Sequence, residues 1–248
     1  IRAYIQAHYG DTKVVYVVQE KMRGQSDAPY LARKYLKGPM LMCFSDTLIE
    51  TNPAEVIQPG IDGIAWVKPV PDPRRFGVAV IDQNGFIQHL VEKPKEINNN
   101  LALVGFYYFQ EGHDLMKAIE KQMEQEISLN HEYFLADAIN VMLKEGAKFK
   151  IQEVGVWLDA GKVDALLETN QYLLSHGHDN NEETTRRRGV VVHEPVYVHP
   201  QTKLTNCEIG PFVSVGKGCQ LENATLINSI LDDGVQVKDS RLQNSLIG

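Results

Sequence analysis

Residues 198–247 read VHPQTKLTNCEIGPFVSVGKGCQLENATLINSILDDGVQVKDSRLQNSLI, a stretch of short units each led by an aliphatic residue. The leaders are Val198, Leu204, Ile209, Val215, Leu221, Leu226, Leu231, Val237, Leu242 and Ile247, which step by five or six residues. That period belongs to a parallel β-helix, where each six-residue unit is one face of a triangular coil and its aliphatic points inward. About three turns fit, so the solenoid is expected to need a cap or a partner chain and to serve packing and association between copies. Its outward positions, Lys217, Glu222, Asn223 and Lys238 among them, hold no cluster of catalytic groups.

Upstream of the repeats, SHGHDNNEETTRRR has no periodicity and reads as a linker over 175–189, with Arg186 to Arg188 a solvated run. A larger domain is expected over 1–174 and the β-helix over 190–248. In the larger domain, VVYVV (Val14–Val18), a helical pattern near Ala28 to Tyr35, MLMCF (Met40–Phe44) and GIAWV follow one another closely. Such alternation predicts an α/β sheet of substantial parallel character. Val14–Val18 and Met40–Phe44 are continuous apolar runs, as expected of strands covered on both faces. Longer helices are predicted over Asp114–Gln125 and Tyr133–Glu145, with Gly146 as a stop. The opening IRAYIQAH reads as the tail of an amphipathic helix, so further residues are expected upstream of Ile1.

Apolar residues make up 43% of the 248 and aromatics 8%, an ordinary globular composition. A net charge of -7 argues against a nucleic-acid binder. Anionic small substrates are compatible with it, because a bound metal and a few lysines meet their charge locally. Cys43, Cys207 and Cys219 are odd in number and widely spaced, and they read as buried structural thiols rather than disulfide or zinc ligands. No apolar run reaches membrane-span length and no signal-peptide pattern opens these residues, so the expected setting is a reducing cytoplasm with no membrane partner.

Three places carry chemistry. Asp46 follows the apolar run at Phe44-Ser45, and Asp159 follows Trp157-Leu158; carboxylates at strand ends face the crevice where α/β sheets bind ligands. Together they suit Mg²⁺, whose shell substrate phosphates complete, although each alone also fits a turn or a helix cap. In Val91-Glu92-Lys93-Pro94-Lys95, Glu92 can accept bonds from sugar hydroxyls and Lys93 can place a charge on a phosphate; surface charge is the plainer reading. Gln19, with Gly24 five residues on, offers the donor and acceptor that the imide edge of uracil or thymine needs, and Gly24 would let backbone approach a flat base.

The series VQEKMRGQSDA, MLMCFSD, RRFGVAVID, HLVEKPKE, LALVGFYYF, NHEYFLADAINVMLKEG and VWLDAGKVDALLETNQYL resembles the sugar-1-phosphate nucleotidyltransferases, most of all the glucose-1-phosphate thymidylyltransferases, over Val14 to about Leu174. The trailing repeats resemble the long form of that family. The resemblance implies a Rossmann-like, mixed but mainly parallel sheet followed by a left-handed β-helix. It implies Asp46 and Asp159 as Mg²⁺ ligands, and Gln19 and Gly24 as base contacts. It implies Gly77, Glu92 and Gly105 as sugar contacts and Lys93 as the phosphate contact. The implied reaction joins a nucleoside triphosphate, dTTP or UTP by preference, to a sugar-1-phosphate, preferably glucose-1-phosphate, releasing pyrophosphate.

Departures from the family pattern are Ser45 for glycine before Asp46, and Phe134 for an acid, which leaves Glu132 and Asp137. The family's opening glycine-rich GTR loop and the PK that follows it do not occur ahead of VQEKMRGQSDA in residues 1–17. The chain by itself is therefore expected to show no measurable synthesis, and a non-catalytic binding or regulatory subunit is the alternative. An acyltransferase reading, with His193 or His199 as base, fits poorly with only three turns of β-helix.

Overall fold

The computed structural model describes residues 1–185 and 189–248, which form two compact units. One unit holds Ile1–Phe44 and Thr51–Gly155, the other Ser45–Glu50 and Val156–Gly248. The run Arg186–Arg188, expected to be solvated, lies outside the described residues. In chain order the elements are α1 (Arg2–His8), α2 (Asp27–Leu31), β1 (Met40–Cys43), β2 (Thr47–Ile49), α3 (Pro53–Val56), β3 (Gly63–Pro69) and β4 (Gly77–Ile81). Then come β5 (Ile87–Glu92), β6 (Leu101–Phe109), α4 (Gly112–Glu124), α5 (Leu135–Lys144), β7 (Phe149–Glu153), β8 (Trp157–Asp159), α6 (Val163–Ser175) and α7 (Asn181–Thr185).

In the first unit, six strands form one sheet in the order β5-β4-β6-β3-β7, with β1 also paired to β6. Its inner strands β3 and β6 are apolar on both faces, as strands buried on both sides must be. The helices α4 and α5 lay Leu115, Ile119, Leu135 and Ile139 against Phe109 and Phe149 to close the core. Burying each such side chain contributes about 1.5–3 kcal/mol. The Asn140 side chain brackets Leu90, accepting from its N–H and donating to its C=O at 2.8 Å each. That pins β5, the strand that ends at Glu92, to α5.

The mixed α/β sheet is as expected, but its parallel pairing is confined to β3 with β7; the other described pairs in this sheet are antiparallel. The reason is local: β4 and β5 are joined by the short Asp82–Phe86 turn, which only an antiparallel pair permits. Val14–Val18 forms no strand. A strand exists through its ladder partners, and no described strand pairs with this run, whose side chains are 39–67% exposed. β1 is likewise covered on one side only, with alternating burial, and so Cys43 is exposed rather than a buried thiol. Cys207 and Cys219 are buried as expected.

The second unit contains a two-stranded ladder of β2 with β8, the helix α6, and a parallel β-helix. The β-helix strands are β9 (Val190–Val192), β10 (Val196–Val198), β11 (Lys203–Thr205), β12 (Cys207–Ile209), β13 (Val213–Val215), β14 (Gln220–Ile227), β15 (Ser229–Leu231), β16 (Gln236–Gln243) and β17 (Leu246–Ile247). All their pairings are parallel, and the leading aliphatics from Val198 to Ile247 line the interior. At the corners, Asn206, Asn223 and Asp239 stack into a side-chain ladder with steps of 17 and 16 residues.

The units part at Gly155–Val156 and not at 174, because α6 is tied to the β-helix through Asn170 and Gln171. The stretch 175–189 includes α7, and the Asn180 side chain brackets Val198 at 2.8 Å on both its N–H and C=O. Much of the expected linker is thus docked. Among the described residues no helix is long and apolar enough to cross a membrane.

Candidate active site

Asp46 and Asp159 come together in the second unit. The β2–β8 ladder sets Thr47 opposite Asp159, and the Ala160 N–H donates to the Asp46 C=O at 2.8 Å. Both carboxylates approach one point, the open side of Gly161. A Cβ there would lie 3.0 Å from Asp159 Oδ1 and 3.4 Å from Asp46 Oδ2. Asp159 Oδ1 also accepts from the Gly161 N–H at 2.7 Å, while the Thr169 hydroxyl donates to the Asp159 C=O at 3.2 Å. Asp159 is not the cap of α6, whose N-terminal cap is Lys162. The donor set fits Mg²⁺, a hard cation commonly held by one or two carboxylates plus substrate phosphates, and the glycine leaves its seat clear. Among the described residues no group of three or more His, Cys, Asp or Glu forms a self-sufficient metal cage.

The first unit assembles a second group around Glu92. In the β4–β5 ladder Gly77 stands opposite Glu92, and a Cβ on Gly77 would lie 2.9 Å from Glu92 Oε2. Burial pushes the Glu92 carboxyl up to about 7; Lys93 opposes that shift, and the neighbouring Asp137 and Glu132 add to it. Asp137, in the first turn of α5, is itself raised by burial, with Lys144 opposing. The Tyr107 hydroxyl is raised by its burial and then by the charge of Glu92. Lys93 has a left-handed backbone, φ 47°, where a residue with a Cβ is strained and where functional residues concentrate. Its N–H donates to the Phe76 C=O at 3.0 Å, and its ammonium stands 4.6 Å over the Phe134 ring. Phe134 thus gives Lys93 an aromatic face at the position where the family pattern has an acid. Gly105 sits in β6 with φ 79°, opposite the irregular register of β3, and its C=O accepts from the Phe44 N–H at 3.0 Å.

Gln19 and Gly24 are also joined: Gln19 Nε2 donates to the Gly24 C=O at 3.3 Å and to Asp27 Oδ2 at 3.0 Å. Gly24 has φ 109°, and a Cβ on it would fall 2.6 Å from the Tyr133 C=O oxygen. The close approach that requires glycine is therefore that of the Tyr133 backbone. Sequence reasoning passed over Asp27 and Tyr107. Nothing in DAPYL marks its aspartate as buried, whereas Tyr107, one residue beyond Gly105-Phe106, lay within the motif LALVGFYYF.

Residues 1–176 match the model of the nucleotidyl transferase family. The chain is 28% identical over 260 residues to a glucose-1-phosphate thymidylyltransferase of Streptomyces antibioticus, covering 95% of this chain and 71% of that one. It is 29% identical over 273 residues to a low-salt glycan biosynthesis nucleotidyltransferase of Haloferax volcanii, covering 97% and 72%. Among solved structures, a UDP-glucose pyrophosphorylase complexed with UDP-glucose shares the fold with a TM-score of 0.56 at 22% identity, over 65% of this chain and 66% of that one. Fold, motif order and family model agree, and the chain belongs to the nucleotidyl transferase family, among its sugar-1-phosphate nucleotidyltransferases.

Proposed function

We propose that this protein transfers a nucleotidyl group from dTTP or UTP to a sugar-1-phosphate, with glucose-1-phosphate as the favoured acceptor. The observation that carries the reading is the Gly77–Glu92–Lys93 arrangement: a desolvated carboxyl beside a glycine gap, followed at once by an ammonium. A carboxyl that titrates near 7 can both donate to and accept from sugar hydroxyls, and a lysine serves a phosphate as a point charge. Gly105 would border the sugar, and Gln19 and Gly24 the base. Asp46 and Asp159 would hold Mg²⁺, which when bound neutralises charge on phosphate oxygens.

In the reaction, a sugar phosphate oxygen forms a bond to the α-phosphorus while the bond from that phosphorus to the bridging oxygen breaks, and pyrophosphate leaves with its electron pair. The nucleophile is already anionic near pH 7, so the protein's work is positioning and charge stabilisation rather than base catalysis. The name of the Streptomyces relative supports glucose and thymidine; Gln19 supports an imide base. Association of copies through the β-helix belongs to the same proposal, supported by exposed Val191 and Leu246. A monomer in light scattering would remove that part.

The test is a panel of four nucleoside triphosphates against glucose-, mannose- and N-acetylglucosamine-1-phosphate, reading pyrophosphate release and, by calorimetry, binding of each substrate. Saturable binding of glucose-1-phosphate and of dTTP or UTP is expected. Neither binding nor release with any pair would overturn the reading.

A further inference from the structure

The Gln19 amide is held from behind. Its Nε2 donates to the Gly24 C=O and to Asp27 Oδ2, two groups that only accept, so chemistry decides which end of the amide faces them. Both Nε2 protons are engaged, and Oε1 has no protein partner among the described residues. Asp27 is 1% exposed, and its other oxygen accepts from Arg23 Nη2 at 2.5 Å. An aspartate in the first turn of a helix ordinarily serves the backbone N–H groups there. Asp27 is instead engaged on both oxygens by side chains, one of them on the residue proposed to meet the base.

We propose that Asp27, backed by Arg23, is a positioning residue that locks Gln19 as an acceptor-only contact and so selects bases with a ring N–H facing it. Uracil and thymine present the N3–H there; cytosine presents an N3 lone pair. Opposed to a fixed Oε1, that lone pair goes unpaired, which a site built around a hydrogen bond penalises heavily. A Gln19 free to turn would offer its N–H to cytosine and lose the distinction. The inference rests on the reading of Gln19 as a base contact.

The test uses Asp27→Asn, which keeps the shape and an acceptor for Arg23 but turns an N–H₂ toward Gln19. Two readouts apply. The side-chain ¹⁵N–¹H pair of Gln19, in glutamine-labelled protein and assigned by its loss in Gln19→Ala, should move from a hydrogen-bonded to a free-amide position. The UTP-to-CTP affinity ratio in Mg²⁺, by calorimetry, should fall about tenfold, with glucose-1-phosphate affinity unchanged. Should the Asn variant fail to fold, Asp27→Ala, which buries no charge, carries the same expectations. Identical Gln19 amide signals and an identical ratio in variant and wild type would overturn the lock. If Gln19→Ala leaves UTP binding intact, or the wild type binds neither nucleotide, the base-contact reading falls, and the amide signals alone still decide whether Asp27 holds Gln19.

Discussion

The carboxylates of the two units live in opposite surroundings. Glu92 is half-buried, faces Asp137 and Glu132, and is held partly protonated near neutrality by loss of solvent. Asp46 is exposed and Asp159 half-buried, and a short strand ladder presents them side by side with a glycine clearing the space they share. On the proposed reading the same functional group would serve two uses: a desolvated carboxyl would be a neutral-capable partner for hydroxyls, whereas a solvent-open pair would seat a divalent cation, which exchanges water for carboxylate and phosphate oxygen.

The sharpest way to break this contrast is to neutralise the open pair. In the full-length protein, Asp46→Asn or Asp159→Asn should lower Mg²⁺-dependent turnover by roughly a hundredfold or more while circular dichroism stays unchanged. Wild-type rates at limiting Mg²⁺ would remove the cation role. Lys93→Ala should weaken glucose-1-phosphate binding about tenfold in calorimetry and leave nucleotide binding alone. An equal loss on both substrates would reassign the lysine. Gly161→Ala puts a methyl against both aspartates, so Mn²⁺ affinity measured by electron paramagnetic resonance should fall by roughly two- to fivefold, with no change in the urea midpoint.

The smallest effect tests the buried side of the contrast. Because the folded pKa of Glu92 is raised to about 7 from an ordinary 4.5, the folded protein holds a proton there that the unfolded chain releases. The stabilisation is fully present below the ordinary value and is lost as pH rises through about 7. Urea unfolding should show stability falling by about 1 kcal/mol across that window, after discounting for partial exposure. Asp137, shifted in the same direction, adds to the fall. In Glu92→Gln the slope should flatten; an unchanged slope would place the titration elsewhere.

The β-helix was legible because its code is one-dimensional: the leading aliphatics from Val198 to Ile247 recur at a step of five or six residues and fall into one interior cluster. The Gly77–Glu92 and Asp46–Asp159 groupings were legible through motif resemblance, although which residues meet depends on ladder register that sequence does not carry. Val14–Val18 misled because an apolar run states only that cover is wanted; a strand also requires a neighbour. Cys43 and the two-sided cover expected of β1 failed for the same reason, since edge position is a property of the sheet. The left-handed backbone of Lys93 and the engagement of Asp27 arise from tertiary contacts with Phe76, Phe134 and Gln19, and no local pattern announces them.

The central claim is most directly tested by ³¹P NMR of a mixture of the full-length protein, carrying the family's glycine-rich loop, with dTTP or UTP, glucose-1-phosphate and Mg²⁺. The account predicts diphosphate signals of a nucleoside diphosphate sugar rising together with pyrophosphate, with both absent after chelation of Mg²⁺ and in Asp46→Asn, Asp159→Asn double-variant protein. Product formed at the same rate by that double variant, or triphosphate cleaved without any sugar diphosphate appearing, would contradict it.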